Sequence, residues 1–129
     1  MKALYFEQHG GPEVLQYGDL PDLAPGPGQA LVAVKAVALN HVDLWVRRGG
    51  PAFDKLPKPH VGGADVAGIV AGYGEGASGP AIGTRVVVDP GVVTGDDEWT
   101  RRGEDSLSPY YHILGEDAWG GCAEHLVVP

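Results

Sequence analysis

Residues 29–49 read QALVAVKAVALNHVDLWVRRG, and this stretch decides the fold. From Gln29 to Leu39, Leu31, Ala33 and Lys35 alternate with Val32, Val34 and Ala36. Period-two alternation puts the two sets on opposite faces of a β-strand. The alternation stops at Asn40. Val42 to Arg48 then has helical spacing. Asp43 suits the first turn of that helix, where a carboxylate meets the unpaired amides of the helix start.

Working outward, the rest of the chain is short apolar runs cut by glycine and proline. Lys2 to Gln8 reads as a first strand and Val14 to Tyr17 as a second, with a turn at His9-Gly10-Gly11-Pro12 between them. Pro21 to Gly28 is a turn-rich connector, and Pro51 to Pro59 is a loop. Asp65 to Tyr73 (DVAGIVAGY) is a strand whose small residues let another backbone or a ligand approach closely. Thr84 to Asp89 and Cys122 to Val128 are further strands, with a brief apolar segment at Tyr110 to Leu114. Gly91 to Ser108 is polar and reads as an irregular lobe. The chain is expected to be mainly β, a partly open barrel with short helices.

Composition narrows the function classes. The chain has 129 residues, 43% of them hydrophobic and 20% charged, which is one globular domain's worth. The 21 Gly and 11 Pro lack a strict period and serve as turn punctuation. A net charge of −8 argues against a phosphate-backbone surface and against an anionic membrane. No apolar run approaches the ~20 residues of a membrane span. The N-terminus meets a charge too soon for a signal peptide, so a cytoplasmic location is expected. One cysteine, Cys122, rules out an internal disulfide and any multi-cysteine zinc site. Gly74-Glu75-Gly76-Ala77-Ser78-Gly79 matches G-x-G-x-x-G by letter. Pro80 to Gly83 then lead straight into a strand, whereas a dinucleotide site needs a helix there. The segment is read as a turn.

Four segments, LNHVDLWVRRG (39–49), PHVGGADVAGIVAGYGEGA (59–77), IGTRVVVDPG (82–91) and GEDSLSPYYHILGEDAWGGCAEHLVVP (103–129), occur in an order that resembles the N-terminal GroES-like domain of the medium-chain dehydrogenase/reductase superfamily. The resemblance implies a GroES-like barrel over 1–129 with its lobe at about 91–108. It implies that the NAD(P)-binding Rossmann domain follows Pro129 and is absent here, so the chain is one piece of a two-domain enzyme or of a split gene.

The resemblance also locates the zinc apparatus of the superfamily's alcohol dehydrogenases. A catalytic zinc takes three protein ligands. The place of the first, a cysteine, falls at Asn40. The second, the histidine of a Gly-His-Glu triplet, falls at Ala64, and the third lies in the missing domain. The relay hydroxyl falls at Val42 and the relay histidine at Trp45. The four cysteines of the structural zinc lobe fall at Thr94, Asp97, Thr100 and Ser108, so packing by Trp99 and Leu107 is expected to hold the lobe instead. No metal ligand is expected. The lobe's Asp96, Asp97, Glu98, Glu104 and Asp105 read as a solvated acidic loop, with a hard cation as the alternative.

The candidate site residues are Asn40, Asp43, Trp45 and Asp65, with His41 as a cofactor-phosphate contact. Asn40 resembles the asparagine of the zinc-free quinone reductase branch; the alternative is an amide that only satisfies its loop. Asp43 is expected to orient the loop. Trp45 lines the substrate cleft or packs in the core. Asp65 acts on substrate or orients Asn40, or is only a polar strand end. His60, His112 and His125 read as surface or packing residues, and Cys122 as a small buried hydrophobe in its strand. The leading expectation is the substrate-side domain of a zinc-independent oxidoreductase that uses NADH or NADPH on a small carbonyl or quinone, inactive alone. Its partner is a Rossmann domain in cis or trans. Two alternatives stand beside it: an alcohol dehydrogenase with divergent zinc ligands, and a stand-alone binding barrel that forms a homo-oligomer.

Overall fold

The apolar runs become nine short strands: β1 (Lys2–Phe6), β2 (Gln16–Asp19), β3 (Ala30–Ala38), β4 (His60–Val61), β5 (Asp65–Tyr73), β6 (Arg85–Val88), β7 (Gly91–Val93), β8 (Tyr111–Ile113) and β9 (His125–Val128). Two helices, α1 (His41–Arg48) and α2 (Glu98–Arg101), accompany them in this computed structural model, which describes residues 1–129. The longest alternating run, β3, lies inside a four-stranded sheet of order β6-β5-β3-β9. A three-stranded sheet β2-β1-β4 and a ribbon β7-β8 complete a set of open sheets. Every pairing is antiparallel. The mainly β expectation holds. No helix is long and apolar enough to cross a membrane.

The core is split in two. Phe6, Val14 and Val46 form one cluster, with Val42, Phe53 and Leu56 packed on it. This cluster seats α1 against β1. Val66, Leu114 and Leu126 form the other, between the larger sheet and the β7-β8 ribbon, with Val92 packed on it. Burial of each such side chain is worth about 1.5–3 kcal/mol. Only 18 of the 129 residues are buried, while Leu39, Ile82 and Val87 are 69%, 66% and 83% exposed. Much apolar surface therefore remains uncovered in this chain.

Three local expectations need correction. The second strand begins at Gln16, because Pro12 opens a 3₁₀ turn over Pro12–Val14 and sends Val14 into the core. The last strand begins at His125, so Cys122 lies in the loop before it. That loop is claimed by other partners: the amides of Gly120, Gly121 and Cys122 donate to the carbonyls of Val61, Gly63 and Gly62 at 2.7, 2.7 and 3.0 Å. The lobe is not irregular throughout. β7 and β8 bracket it and α2 forms inside it. Leu107 does not pack it either, being 58% exposed.

The small residues of β5 act as expected at Gly68. A Cβ there would lie 2.5 Å from the carbonyl oxygen of Ala33. Strand β3 slips its register between Val34 and Ala36 beside this close approach. The Gly74–Gly79 segment is the expected turn. Gly74 N–H donates to Gln29 O at 2.8 Å and Gly28 N–H to Glu75 O at 2.9 Å, which ties the turn to the 26–29 loop.

The two glycines of β5 should respond oppositely to a methyl group. Gly68→Ala must displace backbone and is expected to cost about 1–3 kcal/mol. Gly72, with nothing within 4 Å of a built Cβ, should accept alanine within about 0.5 kcal/mol. Urea denaturation of both variants checks this contrast.

Candidate functional site

The junction of β3 and α1 is built around one carboxylate. Asp43 sits in the first turn of α1. Its Oδ2 accepts the backbone N–H of Asn40 at 2.7 Å, which closes the helix start. Its Oδ1 accepts the N–H of Gly63 at 2.6 Å, across the gap between β4 and β5. The same side chain therefore fixes the start of the helix and the loop at Gly62-Gly63. Gly63 has φ of +96°, which disfavours any side chain there, and a built Cβ would lie 2.9 Å from Cys122 Sγ.

Asn40 and Asp65 are brought together. The Asn40 amide Nδ2 donates to Asp65 Oδ2 at 2.9 Å. Strand pairing places Asp65 opposite Ala38, two residues before Asn40. A carboxylate only accepts, so this bond fixes which end of the Asn40 amide faces Asp65. The second amide N–H of Asn40 is left for another partner, while its carbonyl oxygen faces the Asp43 backbone N–H in a capping box. Both side chains are exposed.

His41 and Trp45 pair with each other. They lie one helical turn apart, with ring centroids 6.2 Å apart and planes tilted by 39°. Trp45 is 56% exposed, so it is not a core residue. It lines an open groove with Arg48, Gly49 and Phe53. Hydrogen bonds join Asn40 to Asp43 and Asp65, while the aromatic pair occupies the exposed face of α1.

The loop is supported from behind by His60, read from the sequence as a surface or packing residue, and by Trp119, which sequence reasoning did not single out. His60 is fully buried, and its Nε2 donates to Gly115 O at 3.1 Å. Burial holds its pKa below the ordinary histidine value, so the ring is neutral and packs beside Phe6. Trp119 Nε1 donates to Pro59 O at 2.8 Å. The only sequence signal was a pair of glycine doublets, Gly62-Gly63 and Gly120-Gly121. They meet because neither carries a Cβ to hold the other off. Cys122 lies against this junction. Burial, and then the negative charge of Asp43, push its thiol up to about 11.

The metal-binding residues of zinc alcohol dehydrogenases do not fit here. Ala64, at the place of the ligand histidine, is buried and offers no donor atom. Asn40, at the place of the cysteine, spends its amide on Asp65. Nowhere do three His, Cys, Asp or Glu side chains gather so as to hold a metal ion. In the lobe, Arg101 pairs with both oxygens of Asp96, and Arg102 lies 3.5 Å from Glu98.

Two measurements test the geometry. Asp43→Ala removes the acceptor of two amides and should destabilise the chain by about 1–3 kcal/mol, with faster hydrogen exchange at Gly63. Asp65→Ala, at an exposed pair, should cost under about 1 kcal/mol. At pH 8 the native Cys122 thiol, at about 11 against an ordinary 9.0, should alkylate roughly a hundredfold more slowly than in urea. The deficit should shrink as pH rises toward 11.

Residues 26–129 match the model of the alcohol dehydrogenase GroES-like domain. The chain is 33% identical over 116 residues to a quinone oxidoreductase of Rattus norvegicus, covering 88% of this chain and 35% of that protein. It superposes on the crystal structure of an NAD-dependent alcohol dehydrogenase with a TM-score of 0.93 and 49% identity, covering 100% of this chain and 37% of the other. It superposes on a cobalt- and zinc-bound thermostable alcohol dehydrogenase from Pyrobaculum aerophilum with a TM-score of 0.90 and 33% identity, covering 100% of this chain and 39% of that one. The chain thus spans little more than a third of these proteins. It belongs to the alcohol dehydrogenase GroES-like domain family.

Proposed function

We propose, from that membership, that the chain is the substrate-side domain of a zinc-independent oxidoreductase that uses NADH or NADPH on a small carbonyl compound or quinone. The observation that carries this reading is the Asn40–Asp65 hydrogen bond, which engages the side chain at one of the places where the resemblance puts a zinc ligand. The likeness to a quinone oxidoreductase supports it. The cofactor would supply hydride. The Gly74–Gly79 turn is no dinucleotide fingerprint: it runs on to β6 with no helix to receive a pyrophosphate. The cofactor belongs to a Rossmann domain outside these residues, and the isolated chain is inactive. The exposed Leu39 and Val87 are consistent with a face that meets further protein.

In this reading each residue has a bounded task. Asp43 holds the loop in place. Asp65 accepts one Asn40 amide N–H and so aims the other toward the cleft. The free N–H donates to the substrate oxygen as negative charge builds there. Trp45 offers an aromatic wall to a planar substrate, and His41 an imidazole N–H for a cofactor phosphate.

A second reading has one observation in its favour, the likeness to a cobalt- and zinc-bound enzyme. It is that the full protein still uses zinc through other ligands. The test is made on the full-length protein purified without chelator. Metal analysis should find well under one zinc per chain, and chelator should leave quinone or enone reduction unchanged. Asn40→Ala should lower kcat by roughly ten- to a thousandfold while the fold persists. One zinc per chain, with activity lost on chelation and restored by zinc, returns the protein to the second reading.

A further inference from the structure

The lobe between β7 and β8 gathers two backbone amides and one hydroxyl on a single carboxylate. Asp97 Oδ1 accepts the backbone N–H groups of Trp99 and Thr100 at 2.8 and 3.0 Å. Asp97 Oδ2 accepts the hydroxyl of Ser108 at 2.7 Å, across eleven residues of chain. Thr100 answers from the other side: its Oγ1 accepts the N–H of Asp97 at 3.0 Å. Ser108 passes the connection on, since its Oγ accepts the N–H of Tyr110 at 3.0 Å. The carbonyl of Tyr110 in turn accepts the N–H of Thr94 at 3.2 Å. Ser108 is 7% exposed, the one buried hydroxyl of the chain, and its oxygen is satisfied on both sides.

Thr94, Asp97, Thr100 and Ser108 are the four places at which the resemblance to zinc alcohol dehydrogenases puts cysteines. All four meet in this one network, and none is a thiolate. We propose that the network is a metal-free staple: the Asp97 carboxylate does for the lobe what an ion does in zinc-binding relatives, drawing the 94–100 and 108–110 segments onto one centre. A metal centre collects negative ligands around a cation. Here the polarity is reversed, with amide and hydroxyl donors collected around an anion. The neighbouring acidic residues leave this centre alone, because Asp96 is held by Arg101 and Glu98 lies beside Arg102. Arg102 also covers the Trp99 ring, at 5.6 Å from its centroid. The inference stands apart from the reading at Asn40, since the lobe can lack a metal whether or not the catalytic cleft does.

Hydrogen bonds from Thr100, then Ser108, then Trp99 hold the Asp97 carboxyl below the ordinary carboxylate value of 3.8. A depressed folded pKa makes the contribution complete above the unfolded value and lost as pH falls through the folded one. The staple should therefore be indifferent to pH from mildly acidic upward and open only in strong acid.

Limited trypsin digestion reads the lobe directly, because Arg101 and Arg102 lie within it and are exposed. Asp97→Ala and Ser108→Ala should each be cut at these arginines roughly tenfold faster than the parent chain, as expected for loss of a helix cap or a buried hydrogen bond. Cutting at Lys35 and Arg85, outside the lobe, should stay at the parental rate and so separates lobe opening from global unfolding. Asp97→Asn, which keeps one acceptor oxygen for the Trp99 and Thr100 amides, should fall between. Excess EDTA should leave the parent chain's cutting rate unchanged. Equal lobe cutting of parent, Asp97→Ala and Ser108→Ala overturns the proposal. So does protection of the parent that EDTA removes and zinc restores.

Discussion

The structure around the candidate site depends on where one carboxylate finds its donors. Asp43 accepts from Asn40 within its own helix turn and from Gly63 across the loop between β4 and β5. A charged acceptor shared by two backbone amides is stronger than either bond with a neutral acceptor, and it joins segments twenty residues apart. Without it the start of α1 would lose a cap and the Gly62-Gly63 loop would lose its reference point. Asn40 could then no longer be held at a fixed distance from Asp65.

Close approach of backbones is the second condition. Gly63 meets Cys122, and Gly120 and Gly121 donate their amides to Val61 and Gly63. Gly68 lets β3 cross at its register slip. These contacts replace side-chain packing where the chain has little of it. Two clusters of three buried residues make a thin core for 129 residues, and the hydrogen bonds among loops carry the geometry that such a core cannot.

The same device appears twice. At α1 and again at α2 an aspartate closes the first turn and also reaches a distant segment, Gly63 in one case and Ser108 in the other. In both places the chain sets an anion surrounded by amide or hydroxyl donors beside positions that resemble the metal-ligand positions of zinc alcohol dehydrogenases.

The alternation of Ala30–Ala38, the helical spacing after Asn40 and the small residues of Asp65–Tyr73 determined the strands and the helix from local periodicity alone. The resemblance of four segments located the site residues, and Asn40, Asp43 and Asp65 do lie together. Tertiary structure alone decided their connections. The sequence offered the orienting of Asn40 as one of three readings of Asp65; the bond itself depends on the register of β3 against β5, which slips beside Gly68. The role of Gly120-Gly121, the burial of His60 and the network around Asp97 were hidden for the same reason. Hydrogen bonds between loops have no period, so they become visible only when the sheets have set the distances between them.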